Sequence, residues 1–351
     1  MRRWSGDYER EAVMRGAVIH GPGDVRIEER PEPGIVEAGD AVIRVVATCV
    51  CGSDLWSYRG IDQVRRPRPM GHEYVGVVEE VGKQVASVRP GQFVVGSFFA
   101  SDNTCPVCRA GYQSACQNRV HMGECQAERI RVPMADGTLV ATPEQPAAEL
   151  VPSLLAVSDV MGTGWYAAVA AEVRPGATVA VVGDGAVGLC GVLAARELGA
   201  ERIIAMSRHE PRQRLAREFG ATDVVAERGD EGVARVKELT GGVGADCVLE
   251  CVGTDESMRQ ALRSTRPGGN IGFVGLPHKV DIPGKELFAS LIALRGGPAP
   301  VRRFLPDLIT RVFDGRIDPG RVFDMTLPLA EVAEAYRAMD ERRAVKVLLQ
   351  P

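Results

Sequence analysis

Four residues in one polar stretch have the types and spacing to hold a metal ion: Asp102, Cys105, Cys108 and Cys116. The cysteines stand as C-x-x-C-x7-C, with the aspartate three residues ahead of the first. Thiolates this close need a cation or a reducing pool to stay apart, and Zn²⁺ takes thiolate and carboxylate donors readily. Three thiolates and a carboxylate would close the coordination shell, which makes a structural site rather than a reactive one. Such an ion would fold the segment 101–118, which has little apolar core of its own; the alternative is a metal-free loop. Cys51 and His72 also offer zinc-type donors, but one Cys and one His this far apart carry little weight by themselves.

A different chemistry is written at Gly183-Asp184-Gly185-Ala186-Val187-Gly188, a G-x-G-x-x-G between an apolar run, Thr178 to Val182, and a helix-like one, Ala186 to Leu198. Gly183 permits the tight turn, Gly185 lets backbone approach a pyrophosphate, and Gly188 allows close packing of helix on strand. The helix start at Ala186 and Val187 presents free N–H groups and a partial positive charge to phosphate. The end of the following strand selects the dinucleotide. NAD sites usually carry Asp or Glu there, to accept from the ribose 2′-OH. This chain has Met206-Ser207-Arg208-His209 instead. Ser207 can donate to a 2′-phosphate and Arg208 can pair with it through its planar fork, with Arg212 one turn further on. The reading is NADP rather than NAD; the alternative is that Arg208 and Arg212 are solvated surface charges.

These residues need a scaffold, and the texture of the chain supplies one. Up to about 157, short apolar runs are broken by Gly and Pro: Ala41 to Ala47, Tyr74 to Val81, Gln92 to Ser97. Val75, Val77 and Val81 would share one face of an alternating strand, so this part reads as β-rich. From Asp159 the rhythm is helix, strand, helix, strand, with strands at 178–182, 202–206, 246–251 and 270–274. That alternation specifies a doubly wound parallel sheet. Past Gly296, a helix (301–313), a strand, a helix (329–339) and a strand (345–349) follow, and this tail can rejoin the first part. At 351 residues the chain is long enough for two domains. A net charge of -4 argues against a nucleic-acid or anionic-membrane partner. No apolar run approaches the roughly 20 residues that span a bilayer. Met1 to Val13 is polar, without the apolar core of a signal peptide, and reads as an extension. Nine cysteines, an odd number, suit metal binding and buried thiols in a reducing, cytoplasmic setting, with Cys190, Cys247 and Cys251 as core fillers.

Gly71-His72-Glu73, followed by Gly76, Gly82 and Val85, resembles the signature of the zinc-containing alcohol dehydrogenases of the medium-chain dehydrogenase/reductase superfamily. The likeness runs from about Met14 to the C-terminus. It implies an α/β architecture: a GroES-like β-rich catalytic domain (14–157, with 296–351 returning to it) and a Rossmann domain (158–295). It implies a catalytic zinc on Cys51 and His72, with Glu73 beside or on the metal. Asp159, in Ser158-Asp159-Val160-Met161-Gly162-Thr163-Gly164-Trp165, is similar to the branch that uses an Asp as the third ligand; helix capping is its alternative role. Ser53 stands where the family places a proton-relay hydroxyl, and Trp56 replaces a relay histidine and would wall the pocket. Lys346 stands where a cation often faces the cofactor, with a plain exposed lysine as the alternative. The activity implied is hydride transfer between NADP(H) and an alcohol, aldehyde or ketone, by a homodimer or homotetramer. A polyol, sugar or aldehyde dehydrogenase, or a zinc-free enone or quinone reductase of the same fold, are the rivals. Phe98, Phe99, Trp165 and Leu294 are candidates for the substrate wall. The basic run Arg65, Arg66, Arg68 would suit either an acidic substrate or a solvated loop. His121, His209 and His278 have no partner nameable from the sequence.

Overall fold

The computed structural model describes residues 12–351, so most of the N-terminal extension lies outside the described residues. The strand Ala41–Cys49, apolar along most of its length, organises the β-rich part. It pairs antiparallel with Tyr74–Val81 along one edge, and with Arg129–Val132 and the C-terminal strand Val347–Gln350 along the other. The last residues of the chain therefore do return to the first sheet, which has seven strands. The strand Val13–Gly21 opens a separate three-stranded sheet.

The alternation expected along Tyr74–Val81 fails at its end. Val75 and partly buried Val77 pack on one core, whereas Val81 packs on the opposite side with Tyr74 and Val78. Val42 pairs with Glu80 and Ile43 with Val78, which leaves Glu79 as an extra residue. A bulge of one residue inverts the side-chain parity beyond it. Both faces of its first part thus pack on a core, while Glu79 and Glu80 stay exposed.

The second sheet has six strands, all parallel, in the order Asp223–Val225, Arg202–Met206, Thr178–Val182, Ala245–Glu250, Thr265–Phe273, Ala293–Gly296. Thr178–Val182 reads as a continuous apolar run because both of its faces are covered. Val179 and Val181 pack with Cys247, Leu249 and the helices Val160–Ala170 and Ala186–Glu197. Ala180 and Val182 pack with Val248, Ile271 and Met258. Connections leave this central strand to both sides, so a crevice opens at its carboxyl end, the usual ligand position of such sheets. The helix Val160–Ala170 packs close against Ala186–Glu197 through Gly164, where a Cβ would lie 2.6 Å from the Gly191 amide nitrogen. Among the described residues, no helix is long and apolar enough to cross a membrane.

Candidate active site

Adjacent strand ends bring the first donors together. Thr48 pairs with Tyr74, so the turn after Ala41–Cys49, carrying Cys51, lies beside His72 and Glu73, which precede Tyr74–Val81. Asp159 enters from the break between the helices Val151–Val157 and Val160–Ala170. Ligand atoms of Cys51, His72, Glu73 and Asp159 all lie within 4.8 Å of one another, and all four residues are buried. Asp159 Oδ2 is 3.7 Å from Cys51 Sγ and 3.2 Å from His72 Nε2. Asp159 holds the N-cap position, yet its side chain makes no capping bond. Its Oδ1 instead accepts from Thr163 Oγ1 at 2.7 Å, one turn into the helix.

Asp54, to which the sequence assigns no role, orients this cluster. Its Oδ2 accepts from the Cys51 amide at 3.0 Å, and its Oδ1 lies 3.5 Å from His72 Nδ1. A carboxylate on one ring nitrogen fixes the tautomer and points the other, Nε2, at Asp159 and Cys51. The legible signal was an acidic residue three places after a candidate thiolate.

Lys346 is not exposed. It is 1% accessible, and its Nζ donates to Glu73 Oε1 at 2.7 Å and to the Val50 carbonyl at 3.2 Å. Burial alone would lower this lysine's pKa, but Cys49 and Glu73 outweigh it and hold the ammonium well above its ordinary value. Burial raises Glu73 despite Lys346, and raises Cys51, with Glu73 adding to the effect. His72 is driven well upward against its burial by Asp54 and Cys51. Such a concentration of anionic donors around one imidazole is what a divalent cation resolves. Glu73 Oε2 is buried with no hydrogen-bond partner, a condition costing about 1–3 kcal/mol, and one carboxylate oxygen of Glu73 belongs to the same cluster. Two anionic donors and a neutral imidazole balance Zn²⁺, while Lys346 balances Glu73. The residues fit zinc.

The second donor set also converges: ligand atoms of Asp102, Cys105, Cys108 and Cys116 lie within 4.8 Å of one another. Backbone amides donate to its sulfurs, from Cys108 to Cys105 at 3.5 Å and from Asp102 and Asn118 to Cys116 at 3.4 Å. Amide bonds to Asp102, from Cys105 and Thr104, hold its carboxyl far below the usual range. Cys105 is likewise lowered by amides, chiefly those of Gln117 and Cys108, whereas burial pushes Cys108 up. All nine cysteines are free thiols.

The glycine-rich turn closes as its pattern requires. Gly183 has φ +116°, and a Cβ on Gly188 would fall 2.0 Å from the Gly183 carbonyl oxygen. Gly183 to Val187 line the same cavity, about 930 Å³, as Cys51, His72 and Asp159. Ser207 and Arg212 are both engaged by Asp184: Ser207 Oγ donates to its Oδ2 at 2.8 Å and Arg212 to its Oδ1 at 3.2 Å. Arg208, His209 and Arg228 also line the cavity. Arg228, distant in sequence from the dinucleotide motif, was not foreseen.

Residues 37–144 match the model of the alcohol dehydrogenase GroES-like domain, and residues 186–299 that of the zinc-binding dehydrogenases. The zinc-type alcohol dehydrogenase B of Aspergillus flavus is 35% identical over 97% of this chain and 82% of its own length. The chain belongs to the zinc-containing alcohol dehydrogenase family. It is therefore an oxidoreductase of the medium-chain dehydrogenase superfamily, with a GroES-like part and a Rossmann part. The alcohol dehydrogenase of Thermus sp. ATN1 superposes with a TM-score of 0.88 at 32% identity, covering 96% of this chain and 99% of that one. A zinc-binding dehydrogenase of Sinorhizobium meliloti, bound to NADP, superposes at 0.81 with 25% identity over 97% and 100% of the two chains.

Within this dehydrogenase the cavity wall differs from the expected one. Phe98, Phe99, Ser53 and Trp56 line it, but Trp165 and Leu294 do not. Trp165 is core, with the Arg311 guanidinium 4.9 Å over its ring, and Leu294 packs in the core of the parallel sheet. Cys251, partly buried, packs against the core and also lines the cavity. Of the basic run, Arg68 alone reaches the cavity, where it donates to Ser57 Oγ at 2.8 Å. His121 lies 5.8 Å, ring to ring, from His72, and His278 stacks on Trp56. No sequence periodicity reports such contacts, since each joins segments distant in the chain whose positions are set by tertiary packing.

Proposed function

We propose that the chain exchanges hydride between NADP(H) and a small alcohol or carbonyl compound, with Cys51, His72 and Asp159 holding a catalytic zinc. The observation that carries this reading is that the donor cluster and the dinucleotide turn share one cavity. When bound, zinc acidifies a substrate hydroxyl and the nicotinamide ring accepts hydride. Asp54 and Thr163 keep the imidazole and carboxylate donors aimed. Phe98, Phe99 and Trp56 exclude water from the reacting end, and Ser53, on the cavity wall, accepts a hydrogen bond from the substrate hydroxyl and passes its own proton on to solvent as that hydroxyl ionises. Glu73, neutralised by Lys346, would stand by the metal site as a further donor. The second zinc would sit on Asp102, Cys105, Cys108 and Cys116, staple the lobe, and take no part in the chemistry.

Support for NADP comes from Arg208 and Arg228, which line the cavity without a carboxylate partner within 4.0 Å among the described residues. Asp184 works against it by occupying Ser207 and Arg212. The dinucleotide's phosphates would meet the amides at Ala186 and Val187. A homo-oligomer is supported by the edge strand Ala293–Gly296, paired on one side only among the described residues, and by Phe288 and Leu291 nearby, 86% and 74% exposed. Nine free thiols suit a cytoplasmic setting. The test is a cofactor-consumption assay with NADP(H) and NAD(H) across alcohols, aldehydes, ketones and polyols, with and without chelator. Turnover that survives complete zinc removal refutes the reading. Replacing Arg208 with Ala should weaken NADPH binding by roughly tenfold, the worth of a charge-assisted pair, and leave NADH nearly unchanged; equal losses refute the 2′-phosphate assignment.

A further inference from the structure

Trp56 and His278 join two segments that line the cleft. Trp56 belongs to the short helix Asp54–Tyr58 and lines the cavity. His278 belongs to the loop after the strand Thr265–Phe273, whose Leu276 and Pro277 line the opposite wall. The two rings stack with centroids 3.7 Å apart and planes 22° from parallel. Asp62, on the Trp56 side, places its carboxylate 3.7 Å from His278 Nε2.

Each half of this contact is anchored in its own wall. The amides of Ile61 and Asp62 both donate to the Trp56 carbonyl, at 2.9 and 3.2 Å, so the turn carrying Asp62 is tied to the indole's own backbone. On the other side the His278 amide donates to the Gly253 carbonyl at 2.9 Å, and its Nδ1 lies 2.9 Å from the Leu276 carbonyl. The turn at Gly253 is in turn braced by buried Glu250, whose Oε1 accepts from the Val252 and Gly253 amides at 2.9 and 2.8 Å. Val252 lines the cavity too. An unbroken path of contacts thus runs from a wall beside the zinc donors to a wall of the dinucleotide site.

We infer that His278 is a positioning residue: it holds the Trp56 ring as the outer wall of the substrate end of the cleft and ties that wall to the Rossmann half. This rests on the alcohol-oxidising reading of the cleft given above. A wall touches ground state and transition state alike, so its loss moves KM and leaves kcat largely in place.

The experiment uses the full-length zinc-loaded enzyme. His278→Ala should raise KM for the alcohol by roughly 2- to 12-fold, the range an aromatic pair is worth, with kcat changed by less than about twofold. His278→Phe keeps a ring on the indole without the contact to Asp62 and should bring KM back to within about twofold of the parent. Trp56 emission, obtained by subtracting the spectrum of a Trp56→Phe variant, should change in His278→Ala with neither substrate nor cofactor present. An unaltered KM or emission in His278→Ala, a fall in kcat as large as the rise in KM, or no rescue by His278→Phe overturns the inference. A parent enzyme that turns over none of the alcohols or carbonyls refutes the reading of the cleft instead, and the emission difference separates that failure from the failure of the stack.

Discussion

Replacing Lys346 with Met removes the one ammonium or guanidinium that touches Glu73 among the described residues, while keeping a side chain of similar length. Glu73 and Lys346 are each 1% accessible, so water cannot take over the ammonium's part. Breaking a buried pair from one side costs about 3–5 kcal/mol. Glu73 could escape by taking up a proton, but from the ordinary glutamate value of 4.5 that costs about 3.4 kcal/mol at pH 7. The escape therefore caps the loss at about 3.4 kcal/mol at neutral pH. At roughly 2.1 cal/mol/K of unfolding entropy per residue, a chain of 351 residues carries about 0.7 kcal/mol/K. The melting temperature should then fall by about 4–5 °C at pH 7. The pH dependence has a definite sign. A carboxylate whose pKa is raised by burial loses stability as pH rises above its unfolded value, so the deficit should shrink toward pH 5, where protonation costs only about 0.7 kcal/mol. Calorimetric melts of parent, Lys346→Met and the Lys346→Met/Glu73→Gln double variant at both pH values make the measurement. The double variant, which removes both charges, should recover most of the loss. A single variant that melts with the parent at pH 7, or a deficit that grows on acidification, refutes the argument.

Two further outcomes are expected. Asp54→Asn should lower turnover or zinc affinity by roughly 10- to 100-fold, as loss of a ligand-orienting partner commonly does, with little change in melting temperature; activity within twofold of the parent would show that the 3.5 Å approach to His72 does no positioning. Elemental analysis of freshly purified protein should find close to two zinc ions per chain, and Cys105→Ser should lose one of them while Cys51→Ser loses the other; a parent value near one would mean that the Asp102 lobe folds without metal.

Chemistry that depends on short stretches of chain was legible in the sequence. The turn at Gly183 to Gly188 and the C-x-x-C-x7-C lobe each act within a few residues, so spacing alone constrains their geometry, and the apolar runs of the parallel sheet announce themselves because both faces are buried. His72, Glu73 and Asp159 were legible only through the resemblance of their surroundings to a family. What tertiary structure decided lies between segments. The bulge at Glu79 turned Val81 to the other core, which an alternation count cannot foresee because register belongs to the pair of strands. Lys346 was read as a cation for the cofactor or as a plain exposed lysine; the return of the C-terminal strand against Ala41–Cys49 buries it on Glu73, on the wall of the cavity shared with the dinucleotide turn. Asp184 came to hold Ser207 and Arg212, and Trp56 came to stack on His278, because loops distant in sequence converge at the carboxyl end of one sheet. A side chain's type fixes what it can do; its partner, and hence its charge balance and role, is fixed only once the chain has closed on itself.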